Sequence, residues 1–209
     1  MNLYTIVSAV YDILVRIWLS DGSADPRIAV EKLIPDKKSR VLDMCCGTMS
    51  NGLLIAEKNH MNTVVGLDRS KSMLREAQRK IRQRHLDNVK LICRDASDTG
   101  LRNDHFDHII IGLVLHECSE QLRSDILNEA KRLLRPDGTL IVIEWEREEN
   151  IFRKLKFAPV YILEILNNPR FFKDFYDCDK TKFFEKHGFI VRENIRCNYT
   201  SVISMSKKK

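Results

Sequence analysis

The chain lacks any paired-cysteine motif: its six cysteines, Cys45, Cys46, Cys93, Cys118, Cys178 and Cys197, include no Cys-x-x-Cys spacing. That argues against a zinc ribbon or a cysteine-held cluster, and no metal is predicted. No secretory leader is expected either. Asp12 and Arg16 interrupt the apolar first nineteen residues, with no basic start and no small-residue cleavage site. The expectation is a cytoplasmic protein with reduced, mostly buried thiols and no transmembrane segment. One-sided charge is absent as well. The excess of 35 Lys and Arg over 29 Asp and Glu is +6, and Lys207, Lys208 and Lys209 supply half of it. Nucleic acid is therefore not the expected partner. Neither repeats nor low-complexity tracts interrupt the 209 residues, 44% of them hydrophobic, a length and composition that suit one domain.

Helical spacing governs the first segment, where Leu3, Ile6, Val7, Val10, Leu14, Ile17 and Trp18 fall opposite Tyr4, Ser8, Asp12 and Arg16. Such a face is expected to pack on the body; one acid offset by one base does not suit a membrane surface. From residue 40 onward, apolar strand-like runs alternate with amphipathic ones, which predicts βαβ units. Strands are expected at Arg40 to Met44, Thr63 to Leu67, Val89 to Arg94, Phe106 to Leu113 and Thr139 to Trp145. Ser70 is a candidate N-cap, Pro136-Asp137-Gly138 stops the helix carrying Leu122, Ile126, Ala130 and Leu133, and Gly188 closes one begun near Asp179. Ile190 to Cys197 and Tyr199 to Met205 are too close for a crossover, so an antiparallel hairpin is predicted.

The chemistry concentrates where strands end. Arg40-Val-Leu-Asp-Met-Cys-Cys-Gly-Thr-Met-Ser-Asn-Gly52 is an apolar strand with an acid and a small-residue turn, the arrangement with which α/β folds cradle nucleotides. Twenty-five residues beyond Asp43, Thr63-Val-Val-Gly-Leu-Asp68 ends in a second acid, where a neighbouring parallel strand would aim it at ribose hydroxyls. A plainer reading has Asp43, Asp68 and Asp95 ending strands and capping helices.

These residues resemble the class I S-adenosylmethionine-dependent methyltransferases, particularly those similar to the ubiquinone and menaquinone biosynthesis enzymes. Val41 to Met49 resembles the glycine-rich first motif, Leu67-Asp68 the ribose-binding acid, and Arg94-Asp95-Ala96 the adenine-contacting turn. Phe106-Asp107 through Leu115-His116 is similar to the fourth strand, and Leu134 to Glu144 to the helix stop, tight turn and fifth strand. Tyr11-Asp12 resembles an early Tyr-Asp pair. The resemblance implies a Rossmann-like α/β fold: a seven-stranded, mostly parallel sheet with a C-terminal antiparallel hairpin and helices on both faces. It implies one domain, 1–209, divided into an N-terminal helical lid (1–30), a cofactor-binding core (40–145), a lid insertion (146–178) and a C-terminal helix and hairpin (179–206). S-adenosylmethionine is the implied donor, leaving S-adenosylhomocysteine. Its contacts are implied at Asp43, Cys45, Gly47, Asp68, Arg69, Met73, Asp95, Ala96, Leu113 and Tyr11. The implied acceptor is a small molecule.

Of three glycines usual in the first motif, only Gly47 is kept; Cys45 and Met49 replace the others. A cysteine fits if its φ stays negative, and Met49 would add bulk beside the cofactor unless Asn51-Gly52 supplies the freedom. Methyl transfer needs chiefly alignment and exclusion of water. Where a base is required, His116 at the end of the fourth strand is the best-placed residue, ahead of Glu117 and Glu144. Eight of the sixteen aromatics lie between 145 and 176, among them Trp145, Tyr161, Phe172 and Tyr176. They either line an apolar acceptor site or form the core beneath a lid. Two further readings stay open: a catalytically silent module with this fold that binds a ligand or protein, and an RNA or protein methyltransferase. The identity of the acceptor, a thiophilic arsenic species included, and self-association are left open by the sequence.

Overall fold

The computed structural model describes residues 25–208, so the expectations for Tyr11, Trp18 and the first segment lie outside the described residues. In chain order the elements are α1 (Pro26–Leu33), β1 (Arg40–Met44), α2 (Ser50–Lys58), β2 (Thr63–Asp68), α3 (Lys71–Gln83), β3 (Val89–Cys93) and β4 (Phe106–Gly112). A 3-10 turn (Leu115–Glu117) follows, then α4 (Glu120–Leu133), β5 (Leu134–Trp145), α5 (Ile151–Asn167), α6 (Pro169–Asp177), α7 (Lys180–Lys186), β6 (Phe189–Cys197) and β7 (Thr200–Lys207).

Short polar side chains start the helices. Asp25, Ser70, Ser119, Asn150 and Asp179 each accept a hydrogen bond from a first-turn backbone N–H, satisfying donors the helix leaves orphaned. The strands form one seven-stranded sheet in the order β3-β2-β1-β4-β5-β7-β6. β1 to β5 are parallel neighbours, whereas β7 runs antiparallel to β5 and to β6. Asn198, at φ 50°, turns the β6–β7 hairpin.

Boundaries differ from the expected ones for local reasons. β4 ends at Gly112 because Leu113 takes φ 52°, which breaks the extended run. β5 starts at Leu134 rather than Thr139, since Leu134 pairs with Phe106, and the register shifts before His108 meets Thr139. Pro136-Asp137-Gly138 is thus an irregular stretch of β5, three residues beyond the end of α4 at Leu133.

Two buried clusters cover the two faces of the sheet. One gathers Leu42, Ile109, Leu127, Leu140 and Phe184, the other Val41, Leu53, Val64, Ala77 and Ile141. Their alternation along β1 and β4 follows from side chains pointing to opposite faces at successive residues. A third cluster, of Trp145, Phe157, Val160, Phe172, Tyr176 and Tyr199, ties α5 and α6 to the end of the sheet. The chain runs from β1 outward through β2 to β3, then returns to place β4 on the other side of β1. The crevice at the carboxyl ends of β1 and β4 is therefore where the order reverses, the usual ligand position in such sheets.

Candidate active site at the strand tips

The turn after β1 has three left-handed residues, Cys45 (φ 59°), Gly47 (φ 52°) and Met49 (φ 65°). The condition that Cys45 keep a negative φ is not met, and Asn51-Gly52 does not supply the missing freedom, because both lie inside α2. The two non-glycine residues accept the strained conformation themselves. Met49 is 0% exposed. Its side chain runs away from the crevice, into the cluster with Val41, Leu53 and Val64. A β-carbon added at Gly66 would sit 2.8 Å from Met49 Sδ, and one at Gly52 2.6 Å from Met49 Cε. Met49 is therefore a plug seated on two glycines.

Gly47 faces the other way. Among the described residues, a β-carbon there would meet nothing within 4 Å, so the backbone borders space they leave open. Its N–H donates to Asp68 Oδ2 at 2.8 Å, while Ser70 N–H donates to Asp68 Oδ1 at 2.8 Å. Both carboxylate oxygens keep a further lone pair for an incoming hydroxyl. Asp43 plays a different part from the expected one: nearly fully buried, it accepts from Gly52 N–H at 2.9 Å and anchors the start of α2. Burial raises its pKa to about 7, against the pull of the Gly52 N–H and with a contribution from Asp68.

Asp95 is exposed and accepts from the Ser97 N–H and hydroxyl at 2.9 and 2.7 Å, bonds that hold its carboxyl below the usual range. Ala96 beside it is buried. Arg69 is exposed, Met73 half-buried at the start of α3, and Leu113 half-buried between the crevice and the lid cluster. These positions converge. After burial, the charges that most raise the Cys45 thiol come from Asp68, Cys118, Asp43 and Asp95, and Glu117 lies within reach of Arg69.

Beyond Leu113 the 3-10 turn buries His116, only 1% exposed. Its Nδ1 lies 2.7 Å from Glu144 Oε2, and its Nε2 3.5 Å from Glu164 Oε2. Glu144 is fixed in turn by the N–H groups of Val114 (3.2 Å) and Leu115 (2.8 Å). Burial opposes a charged imidazole, but Glu144 and then Glu164 override it and push the pKa up to about 10. His116 thus keeps its proton through neutral pH, the wrong form for a general base. Glu144 is held below the usual carboxylate range because His116 outweighs its burial, whereas burial raises Glu117.

Trp145 at the end of β5 and Phe172 and Tyr176 of α6 are buried, and Tyr161 alone of the four expected aromatics is partly exposed. Trp145 Nε1 donates to Glu164 Oε1 at 3.1 Å, and Tyr176 Oη accepts from Glu148 N–H at 3.2 Å. Two contributors escaped sequence reasoning. Glu164 is the lone acid in the apolar run Val160 to Leu166, a signal that was available. Arg123, buried, donates to Leu115 O (2.8 Å), Phe171 O (2.6 Å) and Asp174 Oδ2 (2.7 Å), stitching the 3-10 turn to α6. On α4 its position reads only as part of an amphipathic stripe.

Residues 41–138 match a family model described as a methyltransferase domain. That match takes in somewhat less than half of the chain. The fold is shared with solved methyltransferases: an S-adenosylmethionine-dependent methyltransferase from Aquifex aeolicus is similar, with TM-score 0.64 and 20% identity over 91% of this chain and 92% of that one. A 1,6-didemethyltoxoflavin-N1-methyltransferase from Burkholderia thailandensis, solved with its substrate and S-adenosylhomocysteine bound, aligns with TM-score 0.67 and 15% identity over 98% and 86% of the chains. Among curated proteins, a demethylmenaquinone methyltransferase of a Geobacillus species is 32% identical over 61% of this chain and 55% of its own length. One from Listeria monocytogenes is 34% identical over 52% and 45%. The chain thus aligns with about half the length of these relatives. The matched segment spans β1 to β4 and the start of β5, so it holds the left-handed turn, Asp68, Asp95 and His116 but not Glu144 or the lid.

Proposed function

We propose that the protein is an S-adenosylmethionine-dependent methyltransferase acting on a small apolar or aromatic molecule. The observation that carries this reading is the open space at Gly47 beside the Asp68 carboxylate, at the point where the strand order reverses. The donor fits these residues. Gly47 leaves room for the methionine part along the turn, Asp68 offers free lone pairs to the ribose hydroxyls, and Asp95 offers a carboxylate to the adenine amine. Arg69, Met73, Ala96 and Leu113 border the same crevice. When bound, S-adenosylmethionine supplies an electrophilic sulfonium methyl. The chain's own part is to align the acceptor and exclude water, with the 3-10 turn and Glu117 on one side and α5–α6 above. Tyr161 is the lid aromatic placed to meet an apolar acceptor, while Trp145, Phe172 and Tyr176 support it from within. His116 sets the charge of the acceptor region by holding a proton between Glu144 and Glu164, instead of taking one up. Relatives named for demethylmenaquinone and a toxoflavin precursor support a small ring compound as acceptor.

The silent-module reading drew on Cys45 and Met49. The inward path of Met49 weakens that motive, since the residue leaves the crevice clear. Calorimetric titration with S-adenosylmethionine and with S-adenosylhomocysteine tests the proposal. Saturable binding of both is expected, together with an adenosyl compound in the mass spectrum of the purified protein. No heat at millimolar ligand would return the protein to the silent class.

A further inference from the structure

Three acids, Glu117, Glu144 and Glu164, surround one imidazole beneath the lid. Among the described residues, His116 Nε2 is buried without a hydrogen-bond partner. It points at Glu164, whose Oε2 is 3.5 Å away. Glu117 completes a trio whose candidate ligand atoms all lie within 4.8 Å of one another. Each inner group has an orienting partner. Glu144 takes His116 Nδ1 at 2.7 Å, which leaves Nε2 as the ligand atom, and Trp145 Nε1 holds the other oxygen of Glu164 at 3.1 Å. A carboxylate behind a histidine is the support that metal-ligating imidazoles ordinarily have.

We infer that His116 Nε2, Glu117 and Glu164 bind a divalent first-row transition cation, which takes the place of the Nε2 proton. One imidazole nitrogen and two carboxylate oxygens suit manganese, iron or zinc, and fall short of the six to eight oxygens that calcium takes. Only Glu117 of the trio is exposed, so it marks the entry path. Three ligands leave positions open toward the crevice, where adjacent oxygens of an acceptor could chelate the ion and ionise more readily. The site escapes sequence inspection because its ligands come from two segments 47 residues apart (164 − 117) that share no motif spacing.

The inference stands independently of donor binding and is tested without it. Full-length protein stripped with a chelator is titrated with manganese chloride, free ion being followed by electron paramagnetic resonance, and with zinc chloride by calorimetry. One equivalent per chain with micromolar affinity is expected. Glu164→Gln, which keeps an acceptor for Trp145, and Glu117→Gln at the exposed mouth should each weaken it at least tenfold. Asp125→Asn on α4 should leave it unchanged. Absence of a stoichiometric site, or a site indifferent to both substitutions, overturns the inference and leaves the trio as a buried ion-pair cluster. The exposed position of Glu117 guards against a loss caused merely by misfolding.

Discussion

Met49 holds a conformation that a β-carbon disfavours, at φ 65°, while its thioether fills the interior between Gly52 and Gly66. The packing opposes the backbone strain, so the two can be separated by mutation. Met49→Ala should lower stability by about 2–5 kcal/mol, the cost of a buried cavity, yet change donor affinity less than threefold; denaturant unfolding and calorimetry check the two halves. Asp68→Ala should do the reverse. Loss of charge-assisted bonds at the crevice should weaken donor binding by about 1.5–3 kcal/mol, seen as a raised dissociation constant, and an unchanged one removes Asp68 from the site. The acids at strand ends were legible because carboxylate and strand end occur together in the sequence. The direction of Met49 was not, since it depends on a left-handed φ that no residue pattern announces. The same limit hid the duty of Asp43: an acid at a strand tip reads alike whether it faces a ligand or a helix start.

At the scale of elements, the lid depends on Arg123. From α4 it reaches the 3-10 turn and α6 at once, and its guanidinium stacks 4.5 Å from the centroid of the Phe175 ring. Arg123→Ala should destabilise the fold by about 3–5 kcal/mol, as loss of a buried, multiply bonded charge does. Hydrogen exchange should locate the earliest loss of protection in α6. A second tie joins α4 to the loop after β3. Glu129 accepts from the Thr99 N–H and hydroxyl, and from Arg132 Nε and Nη2. The Arg132 hydrogen bond, helped by those from Thr99 and opposed by burial, lowers its pKa to about 2. A depressed carboxyl stabilises the fold fully above its unfolded pKa, near 4.5, and the contribution is lost as pH falls toward 2. Glu129→Gln should therefore flatten the acid limb of stability between those values in thermal melts read against pH. The elements themselves were largely legible, through capping residues and apolar periodicity. Leu134 was not placed in β5, because its pairing with Phe106 is a tertiary fact invisible to local pattern. The lid aromatics were ambiguous for a related reason: rings that line a site and rings that support one have the same composition.

Across the whole molecule, the alternation of strands and helices foretold a parallel sheet, and the short link between the last two strands foretold their hairpin. Sheet order was not contained in that alternation; the family resemblance implied a seven-stranded, mostly parallel sheet without its order, which the structure supplies. The convergence of Glu117, Glu144 and Glu164 around His116 needs the lid folded over the end of β4, so no reading along the chain could assemble it.

The hairpin enters the sheet in reverse, with β7 against β5 and β6 at the rim. The last strand in chain order thereby covers the outer edge of β5 along the register from Thr139 to Trp145. Until that strand is synthesised, β5 presents a row of bare amides and carbonyls flanked by Leu140, Val142 and Ile143, a template for pairing with any passing chain. A nascent molecule halted before residue 200 is consequently the form most exposed to aggregation and most in need of a chaperone, although every strand that borders the crevice is already made.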